Sequence, residues 1–143
     1  MHGHSFNHFF PWAINQDGTE SEILLHLGRH ELHSYIPYTI LDDANVTEFY
    51  GQYPRTNPNP ILNMFHIEED PTTAQTYFGT DAPEFRTHSA GFLISIAAQG
   101  KNADQVVVDY VTDPANSDGR YREPLPLSDG SLLAVYSLSL IHI

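Results

Sequence analysis

Histidine is the residue type that gives this chain its clearest potential for chemistry. The 143 residues include nine histidines and no cysteine. A neutral imidazole is the commonest protein ligand of transition metals, and a carboxylate can complete an open coordination sphere. The sequence therefore suggests a divalent transition-metal site with the candidate ligands His4, His8, His30, His33, His88 and Asp81.

A structural role for the same histidines is the competing interpretation. The spacings His2-x-His4 and His30-x-x-His33 are short patterns that arise readily by chance. Histidine also fills polar turn positions, where it satisfies backbone groups. Two others, His26 and His66, fall within predicted strands, where we expect these side chains to support the fold.

Composition and motif spacing argue against several other chemistries. Without cysteine, this chain has no disulfide, thiolate zinc site, iron–sulfur cluster or haem attached through CxxCH. Ser89 lacks a GxSxG nucleophile elbow, and the acidic turn at residues 68–70 lacks EF-hand spacing.

The charge balance narrows the class of partner. Eighteen acidic residues stand against six basic ones, which gives a formal charge of −12. Nucleic acid and anionic membrane surfaces need clustered basic residues, so we expect neither of them to be a partner. No apolar run approaches the ~20 residues of a membrane-spanning helix. A cationic small molecule, a metal ion or a neutral ligand fits better.

Two Asp-Gly pairs predict β-hairpins near the two ends of the chain. Apolar residues alternate on both sides of Asp17-Gly18 within residues 11–27, and the pattern returns around Asp129-Gly130 within residues 124–136. Glycine accepts the positive φ of a tight hairpin turn, so this arrangement is a strong hairpin signal. We expect both aspartates to form turns and to take no part in catalysis.

Between the hairpins the sequence predicts one four-stranded antiparallel meander. Its strands cover residues 61–67, 74–80, 91–98 and 105–112, and no segment shows a sustained helical period. Residues 28–60 are rich in proline and are interpreted as a long surface insertion.

Repeated four-stranded meanders are typical of a β-propeller. We predict an all-β fold with little helix, in which residues 1–137 form a partial propeller of about two blades. A β-sandwich is the alternative. In a propeller, loops of one face would carry six histidines: His2, His4, His8, His30, His33 and His88. This shared face is what would bring the candidate ligands together.

The last six residues, 138–143 (LSLIHI), resemble the translation of a transposon-end adaptor used in sequencing libraries. We therefore expect this tail to be non-native, exclude His142 from any site, and interpret the chain as a piece of a longer protein.

Several segments carry a family likeness. The segment WAINQDGTESEIL (residues 12–24) resembles the outer hairpin of TolB-type propeller repeats. The segments THSAGFLISI, QVVVDYVTDPA and REPLPLSDGSLLAVYS (residues 87–96, 105–115 and 122–137) resemble, in that order, the propeller domain of proteins related to the hydrazine synthase alpha subunit. The resemblance implies a bacterial protein that is periplasmic or secreted. Hydrazine synthase uses c-type haems, which this cysteine-free chain cannot attach, so the resemblance implies the scaffold and not the reaction.

Two functions follow from these observations. The first is a binding or scaffold propeller, without chemistry of its own, whose face holds a protein or a small molecule. The alternative is an oxidoreductase-like or hydrolytic component, whose histidine-rich face holds a metal or a non-covalently ligated haem.

Overall fold

The chain is all-β with almost no helix in a computed structural model. The structure describes residues 9–19, 21–25, 61, 63–83, 87–101, 105–115 and 120–138. Within these ranges, eight strands form three antiparallel sheets. The all-β prediction is confirmed. The described strands form no closed sheet, so the propeller stays a prediction.

The strands follow one another along the chain with short connections inside each sheet. The first sheet contains β1 (Trp12–Ala13) and β2 (Glu22–Ile23). The second contains β3 (Phe65–Glu69), β4 (Thr76–Asp81), β5 (Phe92–Ala97) and β6 (Val108–Tyr110). The third contains β7 (Arg120–Pro126) and β8 (Leu132–Ser137). Among the described residues, no helix is long and apolar enough to cross a membrane.

The two predicted hairpins are present, with differences in length. Gly18 has φ +83° and Gly130 has φ +84°, as the Asp-Gly turns require. Strands β1 and β2 have only two paired residues each, fewer than the alternation predicts. Strand β7 begins at Arg120. The hairpin predicted within residues 124–136 therefore starts earlier in the structure, since residues 120–122 also pair with β8.

The predicted meander is confirmed: β3, β4, β5 and β6 lie in sequence order in one sheet. Its outer strands are shorter than predicted, because β3 begins at Phe65 and β6 at Val108. The apolar residues that precede these strands serve the core instead, with Ile61 and Val106 both buried. The proposed insertion at residues 28–60 and the tail beyond Leu138 lie outside the described residues.

The hydrophobic core lies between the first hairpin and the meander. Its buried members are Leu25, Ile61, Met64, Ile94, Ile96, Ala98, Val106 and Val108. Ile94 and Ile96 of β5 both face this core, as the two-residue period of a strand requires. Leu25 joins the core from the segment after β2. The first hairpin is therefore packed onto the meander by apolar burial, in addition to backbone hydrogen bonds.

A buried asparagine joins three parts of this core. Asn63 is 2% exposed. Its Oδ1 accepts the Phe9 backbone N–H at 2.8 Å, and its Nδ2 donates to the Ala82 carbonyl at 2.8 Å. The Met64 N–H adds a backbone bond to the Phe9 carbonyl at 2.9 Å. The Asn63 amide thus satisfies the Phe9 N–H and the Ala82 carbonyl, two backbone groups that lie outside the strands.

Candidate functional site

The structure describes two of the six predicted metal ligands, Asp81 and His88. His88 lies in the connection from β4 to β5, as predicted. Asp81 was expected just after the strand over residues 74–80 and is instead the last residue of β4. His88 and Ser89 both have positive φ, and the Ala90 N–H donates to the Thr87 carbonyl at 2.9 Å. This geometry is that of a tight turn that displays His88 on the surface. The other four candidates, His4, His8, His30 and His33, lie outside the described residues.

Asp81 belongs to a polar and aromatic cluster that links four strands. The Tyr110 hydroxyl donates to Asp81 Oδ2 at 2.9 Å. Burial, followed by the Asp81 charge, raises the pKa of Tyr110. The Tyr110 ring meets Phe92 edge-on at 6.1 Å, and the Arg120 guanidinium lies 4.9 Å from the Phe92 centroid. This arrangement gives Asp81 a structural role, since it orients Tyr110 between β4 and β6.

No group of three or more histidine, aspartate or glutamate side chains is arranged for a metal ion within the described ranges. Because most of the predicted ligands fall elsewhere in the chain, the metal site stays a prediction. The described residues instead contain a cleft that the sequence did not indicate.

This cleft, named here the β3–β7 cleft, opens where the edge strand of the meander meets the last hairpin. Its volume is about 710 Å³. Its lining combines an apolar floor with three titratable side chains: His66, Glu68, Glu123, Pro124, Leu125, Leu133, Ala134 and Val135. Leu125 and Leu133 face each other across β7 and β8, and they are 51% and 56% exposed. The cleft is open to solvent, and its lining joins apolar side chains to charged ones.

Two β-bulges shape the cleft. In β3, His66 and Ile67 together face one residue of β4; in β7, Glu123 and Pro124 together face one residue of β8. Each bulge begins with a residue of positive φ, 52° at His66 and 53° at Glu123. A bulge bends its strand and changes the direction of its side chains. The two bends place His66 and Glu123 against each other.

A hydrogen bond connects the two bulges directly. The Glu123 backbone N–H donates to His66 Nδ1 at 3.2 Å. In a neutral imidazole one ring nitrogen accepts and the other carries the proton. Since Nδ1 accepts here, the proton of neutral His66 is on Nε2. The predicted structural role of His66 within a strand agrees with this contact, and the same side chain also lines the cleft.

The cleft has a negative balance of charge. The carboxylates of Glu68 and Glu123 line it, and Arg122 Nε lies 3.5 Å from Glu123 Oε1. That ion pair is well exposed, so solvent screens it and it offsets only part of the Glu123 charge. The described lining offers no hydroxyl, thiol or amine nucleophile. This chemistry suits binding of a cationic group beside an apolar body.

The last hairpin is held against the meander at Gly91. Gly91 and Tyr121 exchange two backbone hydrogen bonds of 2.8 Å. A Cβ atom at Gly91 would overlap the Asp81 carbonyl, so only glycine permits this approach. Tyr121 also packs on Tyr136 with ring centroids 4.8 Å apart. These contacts fix the position of β7, and with it the Glu123 bulge that forms one wall of the cleft.

One part of the cleft could be recognised from the sequence, namely the Asp129-Gly130 hairpin with its apolar residues Leu125, Leu133 and Val135. That these side chains are exposed is known only from the structure. The bulges carried no such signal, because glycine is the usual mark of positive φ and these positions hold His66 and Glu123.

No protein-family model, curated sequence or solved structure matches this chain. The functional assignment therefore depends on the chain's own residues.

Proposed function

We propose that this chain is a binding module without catalytic activity, and that its ligand occupies the β3–β7 cleft. The ligand class is an organic cation that carries an apolar body. The observation that carries this proposal is the cleft itself, in which exposed leucines stand beside the Glu68 and Glu123 carboxylates. A ligand of this class would cover the apolar surface and partner the charges together.

The scaffold suits this role. A four-stranded antiparallel meander is the unit from which propeller blades are built, and such a fold by itself assigns no chemistry. We propose that the chain is part of a TolB-type propeller, from a bacterial periplasmic or secreted protein. In that setting the β3–β7 cleft would lie at the junction between one blade and the next.

The expected affinity of the cleft for a small cation follows from the solvent exposure of its side chains. Burial of apolar surface contributes about 25 cal/mol per Å². Solvent-exposed ion pairs contribute about 0.2 to 1 kcal/mol each. A small cation such as hexylammonium should therefore bind with a Kd in the millimolar range, roughly −4 kcal/mol. The carboxylates should favour it about two- to fivefold over an uncharged analogue.

The test is an NMR titration of the ¹⁵N-labelled full chain with hexylammonium, hexanol and hexanoate. These probes share the apolar chain and differ in charge. We expect shifts at the Ala134 and Val135 amides, with affinity in the order cation, alcohol, anion. Glu68→Gln should reduce the preference for the cation. The matched control Glu22→Gln changes an exposed residue of β2 outside the cleft lining and should leave it unchanged.

The proposal fails if none of the three probes shifts the cleft amides. It also fails if shifts occur equally in all described strands, since that pattern marks non-specific association.

A further inference from the structure

We propose that His66 is the positioning residue of the β3–β7 cleft and that its protonation releases a cationic ligand. The inference rests on the proposed function and adds its regulation by pH. It begins from the hydrogen bond between the Glu123 N–H and His66 Nδ1, at 3.2 Å, which joins the two bulges.

Protonation removes the acceptor of this bond. An imidazolium carries a proton on both nitrogens and has no lone pair to accept with. The Glu123 N–H and a protonated Nδ1 would then be two donors facing each other. The bulges would separate, or the His66 ring would rotate away. Both responses change the wall of the cleft.

Protonation also supplies a competing cation. The charged groups that line or adjoin the cleft are Glu68 on β3, and Glu123 with its partner Arg122 on β7. A positive His66 would neutralise part of the carboxylate charge from within the protein. A cationic ligand would then meet a weaker field as well as a displaced wall. Both effects act in the same direction, toward release in acid.

The backbone at His66 allows a matched control. His66 has φ 52°, a conformation that asparagine adopts more readily than most residues. Asparagine Oδ1 lies close to the position of imidazole Nδ1, so His66→Asn keeps an acceptor for the Glu123 N–H and cannot gain a proton. His66→Phe keeps an aromatic ring beside Phe65 and removes the acceptor.

The first measurement needs no ligand: the hydrogen-exchange protection factor of the Glu123 amide from pH 8 to about pH 5.5. This range spans the ordinary pKa of histidine as a class and lies above that of carboxylates. The bond is exposed, so its net contribution lies at the low end for a hydrogen bond, and in the wild type we expect protection to fall about twofold on acidification. In His66→Asn the Glu123 amide should stay protected at both ends of the pH range. In His66→Phe the same amide should be unprotected across the whole range.

The second measurement is the Kd of hexylammonium over the same range. We expect the affinity of the wild type for hexylammonium to fall in acid by at least the same factor. His66→Asn should bind hexylammonium equally well at both pH values. Amide protection and affinity that do not change with pH in the wild type would overturn the inference while leaving the binding function intact. If hexylammonium never binds, release of ligand is refuted together with the proposed function, and the exchange data still decide whether His66 holds the two bulges together.

Discussion

Substitution of Asn63 tests how the core is joined. In Asn63→Ala, the Phe9 N–H and the Ala82 carbonyl both lose their partner. The Phe9 bond is partly buried, so its loss should cost about 1 kcal/mol, while the buried Ala82 carbonyl should cost about 2 kcal/mol. We expect the free energy of unfolding to fall by about 3 kcal/mol in all, a large share of the stability of a small domain.

The stability of Asn63→Asp should depend on pH, and the geometry around Asn63 sets the direction of that dependence. One carboxylate oxygen would still accept the Phe9 N–H, but the other would face the Ala82 carbonyl oxygen. Burial and this repulsion should raise the pKa of the new carboxyl above its unfolded value of about 3.9. Stability is then greatest below that value, where the protonated group donates to Ala82, and is lost as pH rises through the folded pKa.

The assay is urea unfolding followed by far-UV circular dichroism at pH 4 and pH 7. Trp12 is 65% exposed and would report poorly on the core by fluorescence. The control Asn15→Ala removes an exposed side-chain bond to Thr19 and should cost less than about 0.5 kcal/mol. A loss below about 1 kcal/mol in Asn63→Ala, or an Asn63→Asp protein that is least stable in acid relative to wild type, would refute this reasoning.

Three further predictions concern single positions. Gly91→Ala should destabilise by about 3 kcal/mol or more and expose the β7 amides to hydrogen exchange, because its Cβ meets backbone that cannot yield; retained β7 protection would contradict this. Thr80→Val should stabilise by about 1 kcal/mol in urea unfolding, since the buried Thr80 hydroxyl has no partner among the described residues, whereas Thr112→Val should destabilise by losing its bond to a β5 amide. Gln75→Gly should raise the free energy of unfolding, measured by thermal unfolding, by about 0.5 kcal/mol or more, because it relieves a φ of 58°. Gln99 is an exposed turn residue without positive φ, so Gln99→Gly should lower the free energy of unfolding.

The hairpins and the meander could be predicted because their signals are local. Asp17-Gly18 and Asp129-Gly130 combine the turn residue that positive φ requires with alternating strands on both sides. The aspartates also bond locally: Asp17 accepts from the Thr19 hydroxyl at 2.6 Å and from the Thr19 N–H at 3.0 Å. The hydroxyl, followed by the N–H, lowers the pKa of Asp17. Such information lies within a few residues of the turn.

The candidate site could not be predicted in the same way, because it depends on contacts between distant residues. His66 and Glu123 are 57 residues apart, and nothing near either position marks a bulge. Asn63 lies inside a run that predicts a strand, yet its amide joins residues 9 and 82. The histidine pattern drew attention to the loops, whereas the described cleft uses a histidine that was expected only to support the fold.

The most direct test of the binding role is reversal of charge at Glu68, an exposed lining residue of the β3–β7 cleft. The measurement is the ratio of the hexylammonium and hexanoate affinities in the wild type and in Glu68→Lys at pH 8. We expect the wild type to favour the cation and Glu68→Lys to favour the anion, with shifts at the same Ala134 and Val135 amides. An unchanged ratio in Glu68→Lys would rule out the binding role proposed for the cleft, because its carboxylates would then play no part in selecting the ligand.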